Sequence, residues 1–309
     1  MPLLLALVAA LIQLRGQPLS GGNLKGSATI RLERASGGDT PVLSLRSPAG
    51  PVRLLLDSGA SSTMVTPELV QRLGLASRPL ASQEVELAGG GSLCAALRPR
   101  RTRLPDLDLA SDDQQGFLRL NAVEALVLPV AALPRGVDGV LGSPSLRQLP
   151  VWIDPHRQRL ALGDAALAAA QAAPVSPTSP VIPLRWRRGV PLLALQTPAG
   201  PVAALADTGA EGLFITPALA ARLQPLGPAQ SLKLAGFCGE QAVELRTYGG
   251  LSLAVPRGLS GQPAAVEAIR LENPIFQQLG VEAIVGQELL RRHSQLWRLD
   301  RQPPQLELR

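Results

Sequence analysis

Two carboxylates stand out for the company they keep. Asp57 closes the apolar run Leu54-Leu55-Leu56 and is followed by Ser58, Gly59 and Ala60. Asp207 closes Ala204-Leu205-Ala206 and is followed by Thr208, Gly209 and Ala210. One Asp-Ser/Thr-Gly tripeptide is expected by chance in roughly one chain of this length in ten. Two copies in matching apolar flanks carry more weight. Two carboxyls held against each other cannot both ionise cheaply, so they share a proton and leave one acid and one base astride a water. Such a pair can add water to a peptide carbonyl without a covalent intermediate. Ser58 and Thr208 can hydrogen-bond the opposing loop or carboxylate, while Gly59 and Gly209 give backbone freedom and room for close approach.

The positioning elements repeat with the carboxylates, at an offset of 150 residues (207 − 57). Pro41-Val42-Leu43-Ser44-Leu45 matches Pro191-Leu192-Leu193-Ala194-Leu195. Ser47-Pro48-Ala49-Gly50-Pro51-Val52 matches Thr197-Pro198-Ala199-Gly200-Pro201-Val202. Beyond the carboxylates, Thr66-Pro67 matches Thr216-Pro217, and Arg72-Leu73 matches Arg222-Leu223. We read this as an internal duplication whose halves meet about a pseudo-twofold axis, each bringing one Asp on the end of a buried strand.

With these motifs the chain resembles the aspartic proteases of the retropepsin–pepsin clan. That family carries Asp-Ser/Thr-Gly in each lobe, and the form ending in Ala (Asp57–Ala60, Asp207–Ala210) is the retropepsin-like one. Its second hallmark, two hydrophobic residues and a glycine on a strand behind the acid loop, is matched by Val140-Leu141-Gly142 and Ile284-Val285-Gly286. The resemblance runs from about residue 40 to the C-terminus. It implies an all-β protein with short helices, built as two pseudo-twofold-related acid-protease lobes with the active site between them. It also implies an aspartic endopeptidase with catalytic Asp57 and Asp207, supporting Ser58, Gly59, Ala60, Thr208, Gly209 and Ala210, and structural Gly142 and Gly286. A polypeptide is the implied substrate, and no cofactor or metal is expected.

About thirty residues after each Asp comes a Gly-rich hairpin tip: Gly89-Gly90-Gly91 in the first half, Gly236-Phe237-Cys238-Gly239 in the second. Place and composition resemble the flaps that close over substrate in retropepsins. The single tyrosine, Tyr248, lies outside both tips, unlike the tyrosine-bearing flap of pepsins. Cys94 and Cys238 fall near the two tips at non-equivalent positions, so free thiols are expected rather than a bridge.

The 309 residues, with 46% hydrophobic and only 3% aromatic content, fit two lobes whose cores are Leu, Val, Ala and Ile. The net charge of +6 rests almost wholly on scattered arginines without stacking aromatics, so nucleic acid is not an expected partner. Residues 1–22 contain the apolar run Leu3–Ile12, which fits an export signal or membrane anchor although no Lys or Arg precedes it. The protein is thus expected to be exported, with membrane association through that segment only, and to be a monomer. Residues 23–163 form the expected N-terminal lobe, 164–183 a linker with an Ala-rich helix and a Pro-rich stretch, and 184–309 the C-terminal lobe.

Within the first lobe, Thr66 reads as a helix N-cap with Pro67 at the first helical position and Gly74 at the stop. The hairpins Val151–Asp154 with Arg159–Leu162 and Leu296–Asp300 with Gln305–Leu308 close the two lobes; in the family such strands form an inter-lobe sheet. Other chemistries lack their parts. The two histidines, His156 and His293, stand near no Gly-x-Ser-x-Gly elbow, and His293 reads as a surface residue. No His-Glu-x-x-His or paired-Cys spacing appears. The competing reading from another functional class is a catalytically silent peptide-binding protein of the same fold.

Overall fold

The computed structural model describes residues 3–5, 11–14, 18–81, 84–88, 97–114, 116–130, 133–174, 180–236, 239–253 and 264–309. Strands dominate it; the longest of its few helices, Asp164–Ala172, has nine residues. An all-β, two-lobed protein results.

In the first lobe the strand Pro41–Ser47 turns at Pro48-Ala49 into the antiparallel strand Gly50–Leu56. The second strand alternates at its start and then buries Leu54, Leu55 and Leu56 in succession. Each fully buried leucine is worth roughly 1.5–3 kcal/mol, so the strand is firmly fixed where Asp57 follows. The short strand Gly139–Leu141 lies parallel to Gly50–Leu56 and antiparallel to Met64–Val65, and so threads between the two sides of the Asp57 loop.

The second lobe repeats this order. Strands Val190–Thr197 and Gly200–Ala206 form the hairpin, with Ala204, Leu205 and Ala206 fully buried ahead of Asp207. Ala283–Val285 is parallel to Gly200–Ala206 and antiparallel to Leu213–Ile215.

Short helices follow each acid loop. Thr66 Oγ1 accepts from the Leu69 amide (3.2 Å) at the start of Pro67–Arg72, and Thr216 Oγ1 from the Leu219 amide (3.1 Å) at the start of Pro217–Ala220. Gly74 stands at φ +61° just beyond the first helix, a left-handed position that favours glycine. The repeated arginines have repeated partners: Arg72 pairs with Asp138 at 2.6 Å, and Arg222 pairs with Glu282. Both acids stand just before the threading strands, so each pair clips a helix to the strand behind its Asp loop.

The lobes are joined by a six-stranded sheet. Val151–Asp154 pairs with Arg159–Leu162 on one side and with Gln295–Arg298 on the other, matching Val151 to Trp297 and Trp152 to Leu296. Gln305–Leu308 and Val181–Pro183 extend it. Both tryptophans are buried, so the seam between the lobes is a packed core.

The second Gly-rich hairpin is built from Gln230–Gly236 and Gly239–Leu253, paired down to Gly236 opposite Gly239. Its tip residues Phe237 and Cys238 lie outside the described residues, as do Gly89, Gly90, Gly91 and Cys94 of the first. The strand leading to the first tip, Val85–Ala88, pairs among the described residues with Leu11–Leu14 of the N-terminal apolar run.

Candidate active site

Asp57 and Asp207 come from opposite lobes and meet. Each backbone amide is tied to the last residue of its threading strand, Asp57 N donating to Leu141 O (3.1 Å) and Asp207 N to Val285 O (3.0 Å). Each side chain is fixed by its own loop: Asp57 Oδ1 accepts from the Ala60 amide and Asp207 Oδ1 from the Gly209 amide, both at 2.9 Å. The two Oδ2 atoms are buried and have no donor. Two buried acceptors facing one another need a proton between them. Burial raises the pKa of Asp57 above the usual carboxylate range; burial and then the charge of Asp57 raise that of Asp207 further. The pair therefore holds on to a proton at pH values where exposed carboxyls have lost theirs.

Ser58 and Thr208 lace the two loops together in a reciprocal set of bonds. The Ser58 amide donates to Thr208 Oγ1 and the Thr208 amide to Ser58 Oγ, each at 3.0 Å. Each hydroxyl then donates back across the interface, Ser58 Oγ to Ala206 O (2.8 Å) and Thr208 Oγ1 to Leu56 O (2.7 Å). Each hydroxyl thus both accepts and donates across the interface, inside a region closed to solvent. A pair of laced loops resists sliding, which is what two carboxyls from different lobes require.

The glycines make the contact physically possible. A Cβ on Gly59 would lie 2.3 Å from Cγ of Asp207, and one on Gly209 would lie 2.4 Å from Cγ of Asp57. Each loop therefore uses its bare glycine backbone as the wall against which the other lobe's carboxyl rests. Gly142 and Gly286 answer a different need, close backbone approach behind the loops: a Cβ there would meet Ser62 O at 2.6 Å and Ala210 O at 2.2 Å respectively. Ala60 and Ala210 are wholly buried.

Four supporting residues escaped the sequence reading. Ser143 Oγ donates to Ser58 O (2.5 Å), and Gln287 Nε2 donates to Thr208 O (2.8 Å). Each directly follows the glycine of its hydrophobic-hydrophobic-Gly motif, and that shared position was the available signal. Glu211, next to Ala210, accepts from the Asp39 amide (2.7 Å), the Thr40 amide (2.9 Å) and Thr40 Oγ1 (2.5 Å). Thr40 Oγ1 also lies 3.2 Å from the Gly209 carbonyl. No local pattern marks this tie, because its partners are some 170 residues apart (211 − 40 = 171). His293, read as a surface residue, is half-buried. Burial, then Arg292 and His156, lower its pKa, so it is neutral over more of the pH range than a free histidine.

Residues 48–145 match a family model described as aspartyl protease, a span that includes Asp57 and Gly142. No curated protein matches the sequence. Among solved structures, the chain is similar to conglutin gamma, a basic 7S globulin from lupine seeds, at a TM-score of 0.53 and 12% identity over 93% of this chain and 95% of that one. It is also similar to basic 7S globulin from soybean, at a TM-score of 0.50 and 11% identity over the same shares. At such identities the structural likeness speaks for the fold alone. Motifs, family match and fold agree on a resemblance to aspartic proteases of the retropepsin–pepsin clan, and the family match supports a protease-type function.

Proposed function

We propose that the protein is an aspartic endopeptidase that cuts polypeptides with a water activated between Asp57 and Asp207. One observation carries the reading: two carboxyls, one from each lobe, are buried against each other with both Oδ2 atoms lacking a donor. A water held by that pair gives its proton to the ionised carboxylate as its oxygen attacks the peptide carbonyl carbon. The protonated carboxyl gives its proton to the carbonyl oxygen, forming a gem-diol. Collapse of the gem-diol breaks the C–N bond: the newly gained proton passes to the leaving nitrogen, and a gem-diol hydroxyl returns its proton to the other carboxylate, which restores the shared proton. The roles of Ser58, Thr208 and the two glycines are to hold this geometry before substrate arrives. A monomer is the active form in this reading, since one chain supplies both carboxylates, and the N-terminal apolar run is the feature that supports an exported or membrane-anchored location.

A second reading, peptide binding without turnover, draws on the names of the two similar structures, both called globulins. The deciding experiment incubates the full chain with an unfolded polypeptide from pH 3 to 7, beside Asp57→Asn and Asp207→Asn. Cleavage by the parent with an acid-side bell-shaped profile, abolished in each variant, is the expected result. Binding of the polypeptide with no cleavage at any pH would favour the second reading. Cleavage that survives either substitution would remove the shared-proton mechanism.

A further inference from the structure

In the sheet that joins the lobes, the two halves repeat a strand pairing but not its charges. Ala28–Arg31 runs antiparallel to Arg159–Leu162, matching Ile30 to Leu160 and Arg31 to Arg159. Val181–Pro183 runs antiparallel to Gln305–Leu308, matching Ile182 to Leu306 and Pro183 to Gln305. The next backbone bond is repeated too: Leu32 N donates to Gln158 O (2.8 Å), and Leu184 N to Pro304 O (2.9 Å). The register is thus the same in both lobes. One lobe builds it with Pro183 and Gln305, where the other sets two arginines face to face.

Residues directly opposed across an antiparallel pair share one face, with Cβ atoms about 4.5–5.5 Å apart, and like charges there are destabilising. The acids nearby are engaged elsewhere. Asp154 accepts from the His156 and Arg157 amides (3.1 and 3.0 Å) and pairs with Arg157 at 3.5 Å. Asp112 Oδ2 accepts from the backbone amide of Arg31 at 2.6 Å, and Asp113 is not free either. Arg46 repeats the situation on the neighbouring strands. It stands opposite Asp108, but both oxygens of Asp108 go to Arg119, at 2.7 and 2.9 Å. Its counterpart at the 150-residue offset is Gln196. The repeat therefore acts as an internal control: the fold requires none of these three charges.

The three arginines are exposed and line two adjoining cavities. The larger, of about 610 Å³, is lined by Arg31 and Arg46 together with the nearly buried Ile30, Leu32 and Leu109. The smaller, of about 290 Å³, shares Ile30 and Arg31 with it and adds Arg159. Their combined walls hold five arginines and three acids, a net of +2 (5 − 3). One of those acids, Glu33, is already taken by Arg53 and Ser44.

We propose that these cavities bind a small organic anion, its oxyanion head between Arg31 and Arg159 and its apolar body on Ile30, Leu32 and Leu109. A guanidinium fork matches a carboxylate or phosphate, so one head between two forks replaces a repulsion by two charged hydrogen-bonded contacts. A cavity of a few hundred Å³ with apolar walls and a few polar groups suits a small ligand. Arg46 adds its charge to the field at the head without touching it. Neither acid loop contributes a wall, so the proposal stands apart from the endopeptidase reading.

The test titrates the full chain calorimetrically with decanoate, kept below its micelle concentration. Inorganic phosphate supplies a head alone, and octyl glucoside an apolar body without charge. Saturable decanoate binding is expected, at least about tenfold tighter than either control. Arg31→Gln and Arg159→Gln should each weaken it by about tenfold or more, the loss expected of one charged contact. Arg46→Gln should weaken it only about threefold, an effect that fades with added salt. A second measurement needs no ligand. At low salt, Arg31→Gln or Arg159→Gln should raise the melting temperature by about 1–2 °C, and the double variant by no more. Decanoate should raise the melting temperature of the parent and leave that of the double variant unchanged. Equal affinity for octyl glucoside would reduce the site to an apolar groove, and equal affinity for phosphate would leave the apolar walls no part. Binding to phosphatidylglycerol vesicles without binding of free decanoate would make this a membrane surface instead. Each of these results overturns the proposal, as do decanoate binding that survives Arg31→Gln and single variants that melt with the parent.

Discussion

Around Asp57, the residue after the buried glycine is Ser143, and its hydroxyl steadies the loop through Ser58 O; around Asp207 the same place holds Gln287, and its amide steadies the loop through Thr208 O. The bond is preserved while the side chain differs in length and chemistry. The matched residues beyond the loops diverge more: Ser61 stands where the second lobe has Glu211, whose carboxylate gathers three donors from residues 39 and 40 of the first lobe. The comparison separates two kinds of constraint. Bonds that steady the loop backbone behind each carboxyl are kept on both sides, whereas the attachment of each loop to its surroundings is free to differ. The Asp207 loop is consequently tethered to the opposite lobe by a charged residue in addition to the shared lacing.

The sharpest challenge to this equivalence is Gly59→Ala set beside Gly209→Ala. Each added Cβ would fall 2.3–2.4 Å from the carboxyl carbon of the opposing Asp, so either the loop or the acid must move. The reciprocal Ser58–Thr208 bonds keep the loops from yielding independently. A shift approaching 1 Å at reacting atoms costs on the order of 100-fold in turnover, and each variant should lose at least about that much. Steady-state peptide hydrolysis reads it. If one glycine tolerates alanine with near-parent activity, the two loops are not equivalent walls and the comparison fails at its centre.

A second challenge tests the pair by stability. Both folded-state pKa values are raised, with burial the leading cause in each. Above the unfolded carboxylate pKa the native protein therefore binds more protons than the unfolded chain. Stability contributed by the protonated pair is present at acid pH and is lost as pH rises through the raised folded values. Replacing an acid by Asn removes that loss. Relative to the parent, Asp57→Asn and Asp207→Asn should each gain thermal stability on going from pH 4 to pH 8. Melting temperatures across that range check the sign; a difference from the parent that does not change with pH would mean the pair holds no extra proton.

What could be read from the sequence follows from how local each constraint is. Asp57, Asp207 and their glycines announce themselves because the whole loop is contiguous and is written twice. Thr66 and Thr216 do so because an N-cap and the amide it satisfies are three residues apart. Gly142 and Gly286 are visible through a repeated motif, although the reason for them, close approach to Ala60, Ser62 and Ala210, is not. The strand partner of Val85–Ala88 was beyond reach: alternation tells which face of a strand is buried and says nothing of which edge it joins, so a pairing to Leu11–Leu14 leaves no local trace. Leu3–Ile12 illustrates the same limit from the other side, since an uninterrupted apolar run suits a membrane, a signal or a strand equally well. Ser143, Gln287 and Glu211 are ordinary polar residues until the fold brings a carbonyl or an amide to them.

The smallest expected effect probes the asymmetric tether. Glu211→Ala leaves the Asp39 and Thr40 amides and the Thr40 hydroxyl without their common acceptor, and Thr40 is only 2% exposed. Stranding such donors costs about 1–3 kcal/mol. Glu211→Gln keeps one carbonyl oxygen in place and should recover part of that. The Gly209 carbonyl lies 3.2 Å from Thr40 Oγ1, so the released hydroxyl can turn wholly to the loop backbone and limit the damage to Asp207. Turnover should therefore fall only a few-fold, by about the amount expected from a slight loss of alignment, while melting temperature drops clearly. The control is Ser61→Ala at the matched place in the first lobe, where stability should change by less than Glu211→Ala changes it. Equal losses at the two positions would show that the lobes are tied alike and that the charged contact adds nothing of its own. A large loss of turnover with unchanged stability would instead move Glu211 from holding the lobes together to aligning the acids.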